Sequence, residues 1–88
     1  MAMMIATGRI DRPDLLTAEM VTAENAALAE LGRTGVVDAA YLHEGRTEVT
    51  IMLSAEDAEF AAAVLERLPL VAGKQMRVHY ALVERRLV

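Results

Sequence analysis

Cysteine is absent from the 88 residues, which excludes disulfides, thiolate metal sites and a cysteine nucleophile. Aromatic residues are nearly absent too: there is no tryptophan, and Tyr41, Phe60 and Tyr80 are the full set. That removes the stacking platforms on which bases and sugars are usually held. Lys74 is the single lysine and the formal net charge is −4. Nucleic acid is therefore not expected as a partner, because neutralising phosphates needs a basic patch. No apolar run approaches the roughly 18 residues of a membrane-spanning helix, so no membrane partner is expected. The start of the chain, Met1 to Ile10, has neither the charged segment nor the cleavage site of a secretory signal. A cytoplasmic location is the expectation. Two histidines, His43 and His79, do not by themselves make a metal site.

Hydrophobic residues, in contrast, make up 55% of the chain, and the mean hydropathy is positive. A chain of this length forms one small domain, residues 1–88, with a high surface-to-volume ratio. It carries more apolar surface than a lone monomer of its size easily buries, so self-association is expected before any motif is considered.

The period of the hydrophobic pattern changes along the chain, and those changes mark the elements. Met3 to Ile10 reads as a strand, closed by the turn-forming cluster Asp11-Arg12-Pro13-Asp14. Thr17 is a suitable N-cap, with Glu19 placed near the positive end of the helix dipole. The helix it opens runs to about Arg33, where Gly32 and Gly35 stop it. Val36 to His43 and Thr47 to Leu53 read as a hairpin, with Gly45 available for a positive φ. Ser54-Ala55-Glu56-Asp57 resembles a capping box and opens a second helix that reaches Leu68, before Pro69. Gln75 to Val83 is the last strand, and Glu84 to Val88 a tail. The order β-α-β-β-α-β predicts an α+β, ferredoxin-like fold: a four-stranded antiparallel sheet with two helices on one face.

A sheet with one wet face alternates apolar and polar residues. Here both faces are partly apolar. Val37 and Ala39 are expected to oppose Val36, Ala40 and Leu42; Met52 opposes Val49, Ile51 and Leu53. In the last strand Ala81 and Val83 oppose Met76, Val78, Tyr80 and Leu82. The helix-free face is thus expected to meet the same face of a second copy, giving a homodimer.

One carboxylate stands where a carboxylate is costly. On a helical wheel Met20, Val21, Ala27, Leu28 and Leu31 form an apolar stripe, and Glu24 falls at its middle. Glu19 and Glu30 fall on the polar side. Burying a carboxylate costs several kcal/mol, on the order estimated for ions in protein interiors, unless it is paired, protonated or solvated by a pocket. Desolvation raises its pKa and equips it both to take and to return a proton. Glu24 is therefore the candidate catalytic residue; the alternatives are a structural partnership with an inward Arg or His, or a helix rotated enough for the side chain to snorkel to solvent. Tyr41 and His43, on one face of the second strand, are candidate substrate-binding residues. Arg9 and Arg77 each offer a cation to an anionic substrate or to a partner acid. His79 falls on the face opposite Tyr80, towards the expected dimer contact.

Glu66-Arg67-Leu68-Pro69-Leu70, followed by a strand of alternating apolar residues, resembles the turn and last strand of muconolactone isomerases. From Ala23 to Val71 the chain lies along that family without a gap. Leu31-Gly32-Arg33-Thr34-Gly35 and the Gly45 hairpin also correspond, and Glu24 falls on the helix glutamate taken as the family's acid/base. The resemblance implies a dimeric α+β barrel whose dimers assemble further, as in a decamer. It also implies a cofactor-free shift of a ring double bond in an unsaturated lactone bearing a carboxymethyl arm. The departures are specific. Val37, Asp38, Tyr41 and Leu42 stand where the family carries Trp and Arg, and Thr47 to Thr50 lack its Tyr and Asn. The proton-transfer residue is kept and the substrate-reading residues are not, which implies a more apolar substrate.

The expected function is a cofactor-independent isomerase, or a related cyclase, with Glu24 as acid/base and Tyr41 or His43 orienting the substrate. A second expectation, from another class, is a non-catalytic binding or assembly module on the same barrel. A cofactor-free oxygenase is disfavoured by the missing tryptophan and by Asn25 being the sole asparagine. A haem-degrading relative is disfavoured because neither helix carries a histidine.

Overall fold

The computed structural model describes residues 2–83; the expected tail from Glu84 to Val88 lies outside them. The elements run β1 (Ala2–Ile10), α1 (Ala18–Arg33), β2 (Val37–Leu42), β3 (Glu48–Ala55), α2 (Ala58–Leu65), α3 (Pro69–Ala72) and β4 (Met76–Leu82), with a single 3-10 turn at Pro13–Leu15. The sheet order is β2-β3-β1-β4, and every neighbouring pair is antiparallel. This is the α+β, ferredoxin-like arrangement expected from the sequence. Among the described residues no helix is long and apolar enough to cross a membrane.

Alternation explains which face takes the helices. In β1 Met4, Ala6 and Ile10 are buried, and in β3 Ile51, Leu53 and Ala55 are buried, each set spaced by two residues and therefore on one face. Leu31 of α1, Ala61, Val64 and Leu65 of α2, Leu70 of α3 and Leu68 at its start close the core over that face. Gly8 completes the β1 row because Met76 fills the space beside it: a Cβ there would come within 2.6 Å of the Met76 sulfur.

Three local expectations are corrected. Val37 pairs with Leu53, but Ala39 pairs with Met52, so the register shifts at Asp38. This bulge turns Val37 to the helix side together with Ala40 and Leu42, not opposite them. Ser54 does not cap a helix: β3 continues through Ala55, which pairs with Ala2. The Ser54 hydroxyl instead donates to Asp38 at 3.3 Å, and the cap of α2 is Asp57, whose carboxylate accepts from Phe60 N at 2.8 Å. The second helix ends at Leu65, and Pro69 starts the separate short helix α3, as its fixed φ suits a first helical position. Thr17 caps α1 as expected, accepting from Met20 N at 3.2 Å.

The opposite face carries a row that crosses all four strands. Ala39 pairs with Met52, Met52 with Ile5, and Ile5 with Ala81. Tyr41, Thr50, Thr7 and His79 form the next row.

Candidate active site

Among the described residues Glu24 is the one charged residue in the buried set, 6% exposed. The apolar stripe of α1 turns it towards the core, as the wheel requires. Its Oε1 accepts a hydrogen bond of 3.0 Å from the backbone N of Leu70. That donor exists for a local reason. Leu68 is the N-cap of α3 and Pro69 occupies the first helical position, so the Leu70 N–H is one of the amides a helix start leaves without an internal partner. Glu24 satisfies it from a different helix, and Leu68-Pro69-Leu70 thereby fixes the position of the acid.

Burial raises the Glu24 pKa above the ordinary carboxylate value, and the Leu70 amide opposes that rise without cancelling it. No cation is ion-paired to Glu24 among the described residues. No side-chain oxygen there is both sealed and unpartnered, so the second carboxylate oxygen is left open to the cavity that Glu24 lines. That cavity measures about 550 Å³, within the ~300–1,000 Å³ typical of small-molecule sites. It lies between α1 and the β2–β3 side of the sheet. Leu16, Val21, Leu28, Leu42, Val49 and Leu70 give it apolar walls, and Asn25 and Arg46 join Glu24 as its other amide and charged side chains. An acid of raised pKa, one oxygen anchored and one free, can exchange a proton with a bound molecule screened from bulk water. No three His, Asp or Glu side chains are grouped to hold a metal ion among the described residues.

Solved structures share this architecture. A crystal structure of muconolactone isomerase matches with a TM-score of 0.78 at 17% sequence identity, over 97% of this chain and 91% of that one. The chain has the muconolactone isomerase fold. A second match is 5-chloro-2-hydroxyhydroquinone dehydrochlorinase from Burkholderia phenoliruptrix AC1100, in complex with 2,5-dihydroxybenzoquinone. Its TM-score is 0.63 at 15% identity, over 94% of this chain and 95% of that chain. No protein-family model and no curated sequence matches; what is shared with the muconolactone isomerase fold is the path of the backbone.

On that fold the candidate residues separate. Tyr41 is at the cavity, 59% exposed, although its register opposite Thr50 places it on the helix-free face. His43 is not part of the cavity wall; its Nε2 lies 2.6 Å from Thr50 Oγ1. Arg9 is also outside the wall, within 3.7 Å of Glu48 in an exposed ion pair, and Arg77 pairs with Asp11 at 2.7 Å. Both arginines occupy the β1–β4 row on the helix-free side. The structure thus brings Glu24 and Tyr41 to one cavity and leaves His43 and Arg9 elsewhere. Asn25 and Arg46 are wall residues that the sequence analysis does not single out as site residues. The positive φ of the β2–β3 hairpin was expected at Gly45 but occurs at Arg46, at 61°, and it was this turn geometry that the sequence concealed.

Proposed function

We propose that the protein is a cofactor-independent proton-transfer enzyme that shifts a double bond in a small unsaturated lactone or related carbonyl compound. The observation that carries this reading is Glu24: a buried, unpaired carboxylate held by one main-chain amide at an apolar cavity. In the reaction the Glu24 carboxylate takes a proton from the carbon next to the carbonyl. The electron pair left behind delocalises into a dienolate, and Glu24, whose proton exchanges with solvent in the meantime, delivers a proton to the far end of the conjugated system. No atom is gained or lost. Asn25, beside Glu24 in the wall, is the neutral donor available to the enolate oxygen; Tyr41 is a second at the mouth. Two enzymes with this fold are an isomerase and a dehydrochlorinase, activities that are compatible with proton transfer. That chemistry supports a proton-transfer role for this fold here as well.

The active form is proposed to be a homodimer. The apolar row Ala39–Met52–Ile5–Ala81 spans the sheet, and a second copy of the same face would cover it in the manner of a dimeric α+β barrel.

The test is solvent-deuterium incorporation, followed by NMR, into a panel of β,γ-unsaturated lactones that begins with α-angelica lactone. The protein is expected to accelerate exchange and isomerisation of at least one member, and Glu24→Gln to abolish both with the fold and oligomer unchanged. Exchange that persists in Glu24→Gln removes Glu24 from the mechanism.

A further inference from the structure

The floor of the cavity follows one row of the sheet and stops part-way across it. Leu42 pairs with Val49, Val49 with Gly8, and Gly8 with Val78, so the row crosses the whole sheet on the face that meets the helices. Leu42 and Val49 line the cavity, and Gly8 does not. Glycine leaves this position of the row without a side chain, and a side chain from the next strand lies in the hollow. It belongs to Met76 of β4, whose sulfur stands 2.6 Å from the point a Gly8 Cβ would occupy and whose Cγ and Cε stand 3.0 Å from it.

Met76 enters the hollow from behind the inner end of the cavity. It is the strand partner of Ile10, and Ile10 and Leu70 line the cavity beside Val49. The amide of Leu70 holds Glu24, so this is the end at which the acid is fixed. Met76 is 3% exposed and belongs to the same apolar cluster as Ile10 and Leu70. An unbranched thioether chain fills an irregular gap that a branched side chain cannot follow. The two residues are therefore complementary: a missing side chain in β1 makes the hollow, and a long flexible one in β4 closes it.

We propose that Met76, lying over Gly8, sets the depth of the cavity and is the residue that determines the length of the molecule it accepts. A compact ring with a short apolar substituent fits in front of this back wall, and a ring carrying a longer chain is refused. The proposal rests on the proton-transfer reading for the use of the cavity and adds to it the residue that limits size. Truncating Met76 to alanine removes Cγ, Sδ and Cε from the hollow, which is apolar and adjoins the wall at Ile10 and Val49, so the space accessible to a ligand lengthens by about those atoms.

Binding of saturated γ-lactones of increasing alkyl length, from γ-hexalactone to γ-dodecalactone, to the full chain, measured by calorimetry, tests this. These probes have no double bond to shift. In the wild type, affinity should rise with chain length to a maximum and then fall, where the chain end meets the back wall. In Met76→Ala the maximum should move to longer chains, and the first lactone refused by the wild type should bind roughly tenfold more tightly or better, since each methylene newly buried is worth roughly fourfold. Truncating a buried methionine can unfold a small domain, so Met76→Val is measured beside it and should move the maximum by a smaller step. Gly8→Ala added to Met76→Ala places a methyl in the emptied hollow and should return the maximum part of the way. Affinity that climbs through γ-dodecalactone in the wild type means that the chains leave by the mouth, and overturns the proposal. So does a maximum that stays in place in folded Met76→Ala or Met76→Val, or no binding of any member. The readout is independent of catalysis: a shifted maximum beside full turnover in Glu24→Gln would sustain the back wall and discard the proton shuttle, and an unshifted maximum beside lost turnover would do the reverse.

Discussion

Replacing Glu24 separates its cost to the fold from its use. In Glu24→Gln the side-chain oxygen still accepts from Leu70 N, now 3.0 Å from Oε1, but the buried charge is gone. Glu24 is bound more tightly to its proton in the folded than in the unfolded chain, because burial raises its pKa. A group of that kind destabilises the fold as pH rises: the cost is absent below the unfolded carboxylate pKa and complete above the folded one. The cavity admits water to one oxygen, so the full penalty of a sealed ion does not apply. About 1–2 kcal/mol is a reasonable share of the several kcal/mol an enclosed ion costs. For a domain of this size that corresponds to roughly 4–12 °C in Tm. Thermal melts followed by circular dichroism, at one fixed protein concentration because a dimer would make Tm concentration-dependent, should show Glu24→Gln more stable than wild type at about pH 8. The two should converge at about pH 4, where both states of the wild-type group are largely protonated. Glu24→Leu is the control. It removes the same charge and gains about 2 kcal/mol of apolar burial but leaves the Leu70 amide unpaired at a cost of about 1–3 kcal/mol, so it should lie close to Glu24→Gln and above wild type at about pH 8. A glutamine variant no more stable than wild type at about pH 8, or a gain of equal size at both pH values, refutes the reasoning.

Two further outcomes are expected. Gly8→Ala should destabilise by about 1–3 kcal/mol through overpacking against Met76, and Met76→Val in the same chain should recover most of the loss in a chemical-denaturation curve. Ile5→Asp, at the centre of the apolar row, should shift the sedimentation coefficient from dimer to monomer; a wild-type chain already monomeric at micromolar concentration would contradict the face-to-face dimer.

The element order was legible because each element carries its own period: the stripe from Met20 to Leu31 and the alternation from Met4 to Ile10 are local statements. Glu24 was legible for the same reason, since a carboxylate within an apolar stripe is recognisable without its neighbours. What escaped depended on pairing between distant segments. Ser54 looks like a helix cap by composition, yet the β1 strand extends β3 past it and Asp38 takes its hydroxyl. The bulge at Asp38 has no glycine to announce it, and it exists only in the register with β3. The Leu70 amide, 46 residues from Glu24, is a donor only because Pro69 starts a short helix there. Arg46 is the sharpest case. Its place in the wall follows from which of two adjacent residues adopts the left-handed conformation, and composition favoured the wrong one.

The bond between Glu24 and Leu70 has an evolutionary corollary. Its donor is main chain, so almost any substitution at position 70 other than proline preserves it. The residues that shape the cavity, Leu16, Val21, Leu28, Leu42 and Val49, take no part in holding the acid. Drift in those side chains, or relocation of a charge around the rim, can therefore retune what the pocket accepts while the reactive oxygen stays where the backbone put it. A lineage built this way can exchange substrates one side chain at a time and retain its chemistry throughout. Sequence identity among its members would then decay fastest where specificity is written.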